Sequence, residues 1–300
     1  MTLSSTLVRS NSLGAKALMV LGGSLFIAAA AQVTVPMYPV PVTLQTLAVL
    51  LVGFAYGARL GAVTLLAYLA EGAMGLLGRM RLTDPKAGFP SDFMDVHIGP
   101  FLSQIATSGT RIAANAGGVN PLALAEKLRA RISELGLNSP VSVIHGDDLM
   151  DRLDDVADTR DMFTGTPFPQ AGVTSCNAYL GAFPIAAAFA KGAQIVITGR
   201  VVDSALALGA LIHEFGWKAD ELDKLSAGTL IGHLIECGPQ VTGGTFTDWR
   251  DVDGWATIGA PIAECQADGS CIVTKPEGTG GLVSVGTVAE QMLYEVSDPQ

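Results

Sequence analysis

His233, Glu236 and Cys237 stand at spacings of three and four, which places all three on one face of a helix. Such a set offers a general acid and base, with His233 and Glu236 as the candidates. It could also supply two metal ligands, but one helix does not complete a coordination shell, so no metal is assigned. A packed helix end closed by Gly238-Pro239 accounts for the same residues. Gly199-Arg200 and Asp203 follow an apolar run, Gln194 to Thr198; Arg200 could hold a carboxylate or phosphate and Asp203 could fix it. The alternative is an Arg–Asp pair at a helix start. Asn115-Ala116-Gly117-Gly118 precedes Pro121, and glycines there could turn backbone amides toward an anion at a helix N-terminus, or could merely make a tight turn. Lys275 opens a glycine-rich stretch through Gly280 and Gly281 that could cradle a phosphate or act as a lid, without the spacing of a P-loop. His145 lies beside Asp147 and Asp148, which could orient it or could cap the following helix.

These groups need a scaffold. Val141 to His145 and Gln194 to Thr198 read as short buried strands, each followed by a helix: Asp147 to Val156 after the first and Ala205 to Phe215 after the second. A helix is expected over much of Thr174 to Ala190, another over Asp220 to Ile235, and one begins near Leu122. Strand, turn and helix in repetition predict an α/β domain with a mainly parallel sheet. That arrangement puts Arg200 at the carboxyl end of a strand, where open α/β sheets bind ligands. From Thr242 to Val288 the chain is rich in Gly, Thr and Asp, so an antiparallel subregion closes the domain.

Charge divides the 300 residues unevenly. Up to Leu77 there are only Arg9, Lys16, Arg59 and Glu71; the rest of the charges follow, and the net charge is −10. No Lys/Arg cluster suits nucleic acid, which is excluded as a partner. The four cysteines, at 176, 237, 265 and 271, have no zinc-site spacing and indicate a reducing compartment. With a two-residue Asp268-Gly269 turn, Cys265 pairs with Ile272, and the sulfurs of Cys265 and Cys271 fall on opposite faces.

The first quarter reads as membrane α-helix with two to three spans. Ala17 to Val35 is uncharged and long enough to cross a hydrocarbon layer of roughly 30 Å. Pro36, Pro39 and Pro41 force an extended path, after which Thr43 to Gly57 and Leu60 to Leu77 form a helical hairpin around Ala58-Arg59. Positive charges before span one and after span two place the N-terminus in the cytoplasm, and three spans would then put Arg79 and Arg81 outside. The conflict disappears if the third run folds as a soluble helix. The expected location is the cytoplasmic membrane, with the C-terminal part suited to the cytoplasm.

Residues 15 to 76, through Pro39-Val40-Pro41-Val42-Thr43-Leu44-Gln45-Thr46 and Gly57-Ala58-Arg59-Leu60-Gly61-Ala62, resemble the BioY family of biotin transporter substrate-binding subunits. The resemblance implies biotin transport, an Ala28 to Ala31 face against a transporter coupling subunit, and a Pro41 to Thr46 segment, with Thr43 and Gln45, beside the vitamin. The family's later spans have no counterpart here. From about Tyr68 the chain resembles the acyclic terpene utilisation family, AtuA-like, through Arg79-Met80-Arg81, Asn115 to Pro121, Thr198-Gly199-Arg200-Val201-Val202-Asp203, Gly232 to Gly238 and Thr274-Lys275-Pro276. That resemblance implies catabolism of citronellol-type terpenoids through carboxylated or CoA-linked small molecules; it names neither the reaction nor a cofactor.

Both resemblances fit at Ala67 to Gly75. We therefore expect two parts, 1–77 and 78–300, joined as a chimera without one evolved function; the C-terminal part lacks its family's opening strand and the chain stops mid-pattern. The alternatives are a catabolic protein tethered to the membrane by its first helices and a component of biotin transport.

Overall fold

The computed structural model describes residues 75–169 and 171–296, with Gly22, Phe26, Thr34, Val35, Val42 and Thr43. The chain divides into two compact units, Met1–Leu76 and Leu77–Gln300. In the first, Gly22 and Phe26 are helical, and β1 (Thr34–Val35) pairs antiparallel with β2 (Val42–Thr43), Thr34 opposite Thr43. This corrects the ends of two expected helices: Val35 and Thr43 lie in a ladder that flanks the proline segment, where a helix cannot run. The third run is described only at its end, where Gly75, Leu76 and Leu77 are helical; the rest of the apolar runs, with Ala28, Ala31 and Gln45, lie outside the described residues. Among the described residues no helix is long and apolar enough to cross a membrane.

The second unit is α/β. Its sheet contains β3 (Ile112–Ala114), β4 (Val141–Ile144) and β5 (Ile195–Thr198), all parallel, in the order β3-β5-β4. Ile112 lies beside Ile195 on one side of the central strand and Val141 beside it on the other. Every residue of β5 is buried, so successive side chains must find apolar partners on both faces. Ile195 and Ile197 pack with Leu102 and Ile105 of α1 (Leu102–Ser108), Leu124 and Leu128 of α2 (Pro121–Glu134), and Phe89. Val196 points the other way, among Ile185 and Phe189 of α3 (Phe183–Ala190), Ile212 of α4 (Ala205–Phe215) and Trp217. Next come α5 (Leu222–Glu236), the antiparallel pair β6 (Ile262–Cys265) and β7 (Cys271–Thr274), and α6 (Val285–Leu293).

The parallel sheet and antiparallel C-terminal subregion are as the sequence predicts, with three corrections. The helix expected over Thr174 to Ala190 begins only at Phe183, because Pro184 occupies its first turn, where a missing N–H costs nothing. Asp147 to Val156 holds a 3-10 segment, Met150–Asp155, kinked at Arg152, in place of a polar α-helix. The β6–β7 loop spans five residues rather than two: Asp268 accepts from the Ser270 amide at 2.9 Å and hydroxyl at 2.7 Å, closing its own small turn. Cys265 therefore pairs with Cys271, and their sulfurs meet on one face at 3.8 Å.

Because the cost of emptying a core site exceeds that of trimming an exposed side chain, Ile197→Ala should lower unfolding stability by about 2–5 kcal/mol. Ile272→Ala, on a side chain that faces solvent, should stay within about 0.5 kcal/mol of the parent. Urea denaturation followed by circular dichroism measures both.

Candidate functional site

The opposite-face packing of α2 and α4 sends the chain leaving β3 to one side of the sheet and the chain leaving β5 to the other. Adjacent strands whose exits diverge leave a crevice at their carboxyl ends. Asn115, just past β3, reaches across it: its Nδ2 donates to Asp203 Oδ1 at 3.4 Å. Asp147, only 2% exposed, has a carboxylate that accepts from the Arg200 amide at 2.7 Å and from Asn177 Nδ2 at 2.9 Å. Two donors hold a buried charge that would otherwise be costly. Asp148 instead pairs with Arg81 and accepts from the Met150 amide at 3.0 Å, so neither aspartate orients His145.

The Arg200 guanidinium lies over the Tyr179 ring, 4.7 Å from its centroid, and donates to Tyr179 Oη at 3.0 Å. Asp203 is 3.9 Å away. Arg200 thus belongs to a stacked, paired arrangement that carries the Asp203 turn.

Helix α5 brings the remaining groups. A Cβ on Gly232 would stand 2.5 Å from the Ser204 carbonyl oxygen, so only glycine lets α5 come this close to the turn that bears Asp203. Next to Gly232, His233 Nδ1 lies 2.9 Å from Oε1 of Glu236, one turn on. Burial pushes the Glu236 carboxyl above the ordinary glutamate value, opposed by the hydrogen bond from His233 and reinforced by Asp203 and Glu295. Burial, then the neighbouring Glu236, raises the Cys237 thiol as well.

Asn115, Asp203, Glu236 and Cys237 meet at one end of a cleft of about 450 Å³. Its wall is apolar, formed by Ala113, Phe189, Leu206, Ala207, Ala210 and Ile235, and at the other end Arg111 pairs with Glu214. Arg111 and Asn115 are separated along the edge strand by four steps, ~13 Å. An extended acyclic chain could lie along it with a polar group at each end.

Other candidates stand elsewhere. The Gly117 amide donates to the Thr198 carbonyl at 3.1 Å and the Gly118 amide to Asn115 at 3.3 Å, so neither is available to an anion. Their glycine character serves packing: a Cβ on Gly117 would collide with Thr198, and Gly118 has a φ of +55°. Lys275 Nζ donates to the Thr279 carbonyl at 2.7 Å, and the Gly280 amide to Thr257 at 2.9 Å. That loop is closed on itself, and Lys275 and Gly280 do not line the cleft that holds Glu236. Among the described residues, no group of three His, Cys, Asp or Glu is placed to hold a metal ion. Arg111, Glu214 and Tyr179 escape sequence reasoning, since no spacing distinguishes them from other charges and rings, while Asp147, read as an orienter of His145 or a helix cap, instead holds the Arg200 amide.

Residues 54–300 match the acyclic terpene utilisation family protein AtuA. The chain belongs to that family. Residues 5–77 match the BioY family, and the two matches share 54–77. Neither curated proteins nor solved structures provide a match. In this AtuA-family chain β3 to β7, α5 and the whole cleft fall inside the longer match.

The raised Glu236 carboxyl makes stability depend on pH with a definite sign. As pH rises, the unfolded chain loses this proton at the ordinary value while the folded chain still keeps it, so the folded state loses ground until the raised folded value is passed. Glu236→Gln removes that loss. Thermal melts of parent and variant from pH 4 to pH 8 should show the variant gaining on the parent as pH increases.

Proposed function

We propose that the C-terminal unit acts in acyclic terpenoid catabolism on a carboxylated or CoA-linked branched chain. The isoprenoid chain would lie along Ala113, Leu206, Ala207 and Ala210. Its carboxylate, or the anionic side of a CoA group, would be met by Arg111 on release of Glu214. The end to be transformed would reach Asn115, Asp203 and Glu236. There Glu236, kept protonated to higher pH by burial and oriented by His233, would give or take a proton. Arg200 would hold Asp203 in place from its stack on Tyr179. The observation that carries this reading is the 450 Å³ cleft itself, which gathers polar groups from three elements at one end of an apolar wall.

A second relation belongs to the N-terminal part. Its match to the BioY family supports a membrane-associated transporter component and a past in biotin uptake, with a coupling subunit as its partner. The overlap of the two matches at 54–77 favours a join between two genes, so that the parts share no single evolved activity. Membrane tethering of the catabolic part is the alternative.

Two measurements test these readings. By calorimetry, an acyclic monoterpenoid acid should bind the full chain; Ala210→Trp, which fills the cleft, should abolish binding, and Arg111→Ala should weaken it about tenfold or more, the loss of one charged hydrogen bond. Equal affinity in parent and Ala210→Trp would remove the cleft from the account. Long-read sequencing across codons 60 to 90 of source DNA should fail to find the junction if the chain is a chimera; an intact gene would make tethering the better reading.

A further inference from the structure

We propose that Cys265 and Cys271 form a reversible cross-strand disulfide by thiol–disulfide exchange with a small disulfide such as oxidised glutathione. The two residues are direct partners in the β6–β7 ladder. Their neighbours Gln266 and Ser270 are joined by a backbone bond, the Gln266 amide donating to the Ser270 carbonyl at 2.9 Å. In an antiparallel ladder hydrogen-bonded and non-hydrogen-bonded pairs alternate, so Cys265 and Cys271 form a pair of the second kind, in which Cα atoms stand about 4.5 Å apart and side chains come closest. That separation lies within the range of about 4.4–6.8 Å that a disulfide spans. The sulfurs already face each other at 3.8 Å.

Chemistry and geometry give the order of events. Burial, then the adjacent Cys265, pushes the Cys271 thiol up to about 12, which leaves Cys265 to react first. The Cys265 thiolate attacks one sulfur of the glutathione disulfide, forming a mixed disulfide and expelling one glutathione thiolate. Cys265 then no longer opposes ionisation of Cys271. The Cys271 thiolate attacks the Cys265 sulfur, the protein disulfide forms and the second glutathione thiolate leaves. Two protein thiols are oxidised, one small disulfide is reduced to two thiols, and the two protons pass through solvent to the departing thiolates.

The bridge would fix a hairpin that supports α5. Trp217 Nε1 donates to the Ala267 carbonyl at 3.0 Å, and a Cβ on Gly269 would stand 2.9 Å from Ala227 Cβ, so the hairpin tip is seated on the helix that carries Glu236.

The test is to equilibrate the full chain in glutathione buffers of increasing oxidised fraction and count thiols. Four are present in the reduced chain. Two should disappear without retained glutathione, and cleavage at Asp268 should leave two halves held together until reductant is added. Closure should quicken roughly tenfold per pH unit through the neutral range as the Cys271 thiolate becomes more abundant. Cys271→Ser should trap glutathione on Cys265. Should that variant not fold, the chain with both Cys176→Ser and Cys237→Ser should still lose two thiols. Retention of all four thiols, a lasting glutathione adduct on Cys265 in the parent, or a bridge involving Cys176 or Cys237 would each overturn the proposal.

Discussion

The strand Ile195–Thr198 has no side that water reaches, and this constraint organises the C-terminal unit. A strand buried on both faces needs apolar cover above and below, and in a parallel sheet that cover arrives as crossover helices. Ile195 and Ile197 draw α1 and α2 to one face, while Val196 draws α3 and α4 to the other. The chain must therefore leave β3 and β5 in opposite directions. The crevice where Asn115 meets Asp203 is a by-product of filling the core, and polar chemistry can occupy it without disturbing that core.

Polar groups around the crevice form layers of decreasing constraint. Asp147 is almost wholly enclosed and answers only to protein donors, so its work is to hold the Gly199-Arg200 turn. Arg200, on its aromatic platform, is half committed: it faces Asp203 at 3.9 Å, a looser contact than its hydrogen bond to Tyr179. Glu236 and Asp203 open onto the cleft, where burial, reinforced by the Asp203 carboxyl, makes ionisation of Glu236 harder. The groups that open onto the cleft are thus the ones with the fewest structural duties.

Legibility in the sequence followed the strength of the local signal. Val141 to Ile144 and Ile195 to Thr198 were visible as short strand runs, and α4 as a helical segment from Ala205 to Phe215; the structure closes it with Gly216, at a φ of +65°. The true start of α3 was obscured because the alanine-rich stretch Ile185 to Ala190 favours helix, and the expectation carried that signal back across Pro184 into residues 174–182. The hairpin register shifted by one residue because Asp268 bonds to Ser270, a choice that the Asp-Gly pair alone does not announce. At the site, the spacing of His233 and Glu236 correctly placed them side by side, since a helix converts spacing into proximity. Glycines gave no such guidance: at Gly117, close packing and anion binding call for the same residue, and only the destination of its amide separates them. Arg111 and Glu214 meet across 103 positions, a distance no local pattern encodes.

The last turn of α5 carries a dependence on time as well as on space. Carbonyls at the end of a helix lack partners within it. The carbonyl of His233 obtains one from the Gln291 side chain, at 3.0 Å, on α6. During synthesis on a ribosome, the turn that bears His233 and Glu236 emerges well before residue 291 does. The sheet, α3 and α4 can pack while the chain is still growing, whereas the polar end of the cleft must wait for α6. The site is consequently the last region to set, and an unfinished chain would expose a nearly complete core with an unfinished site.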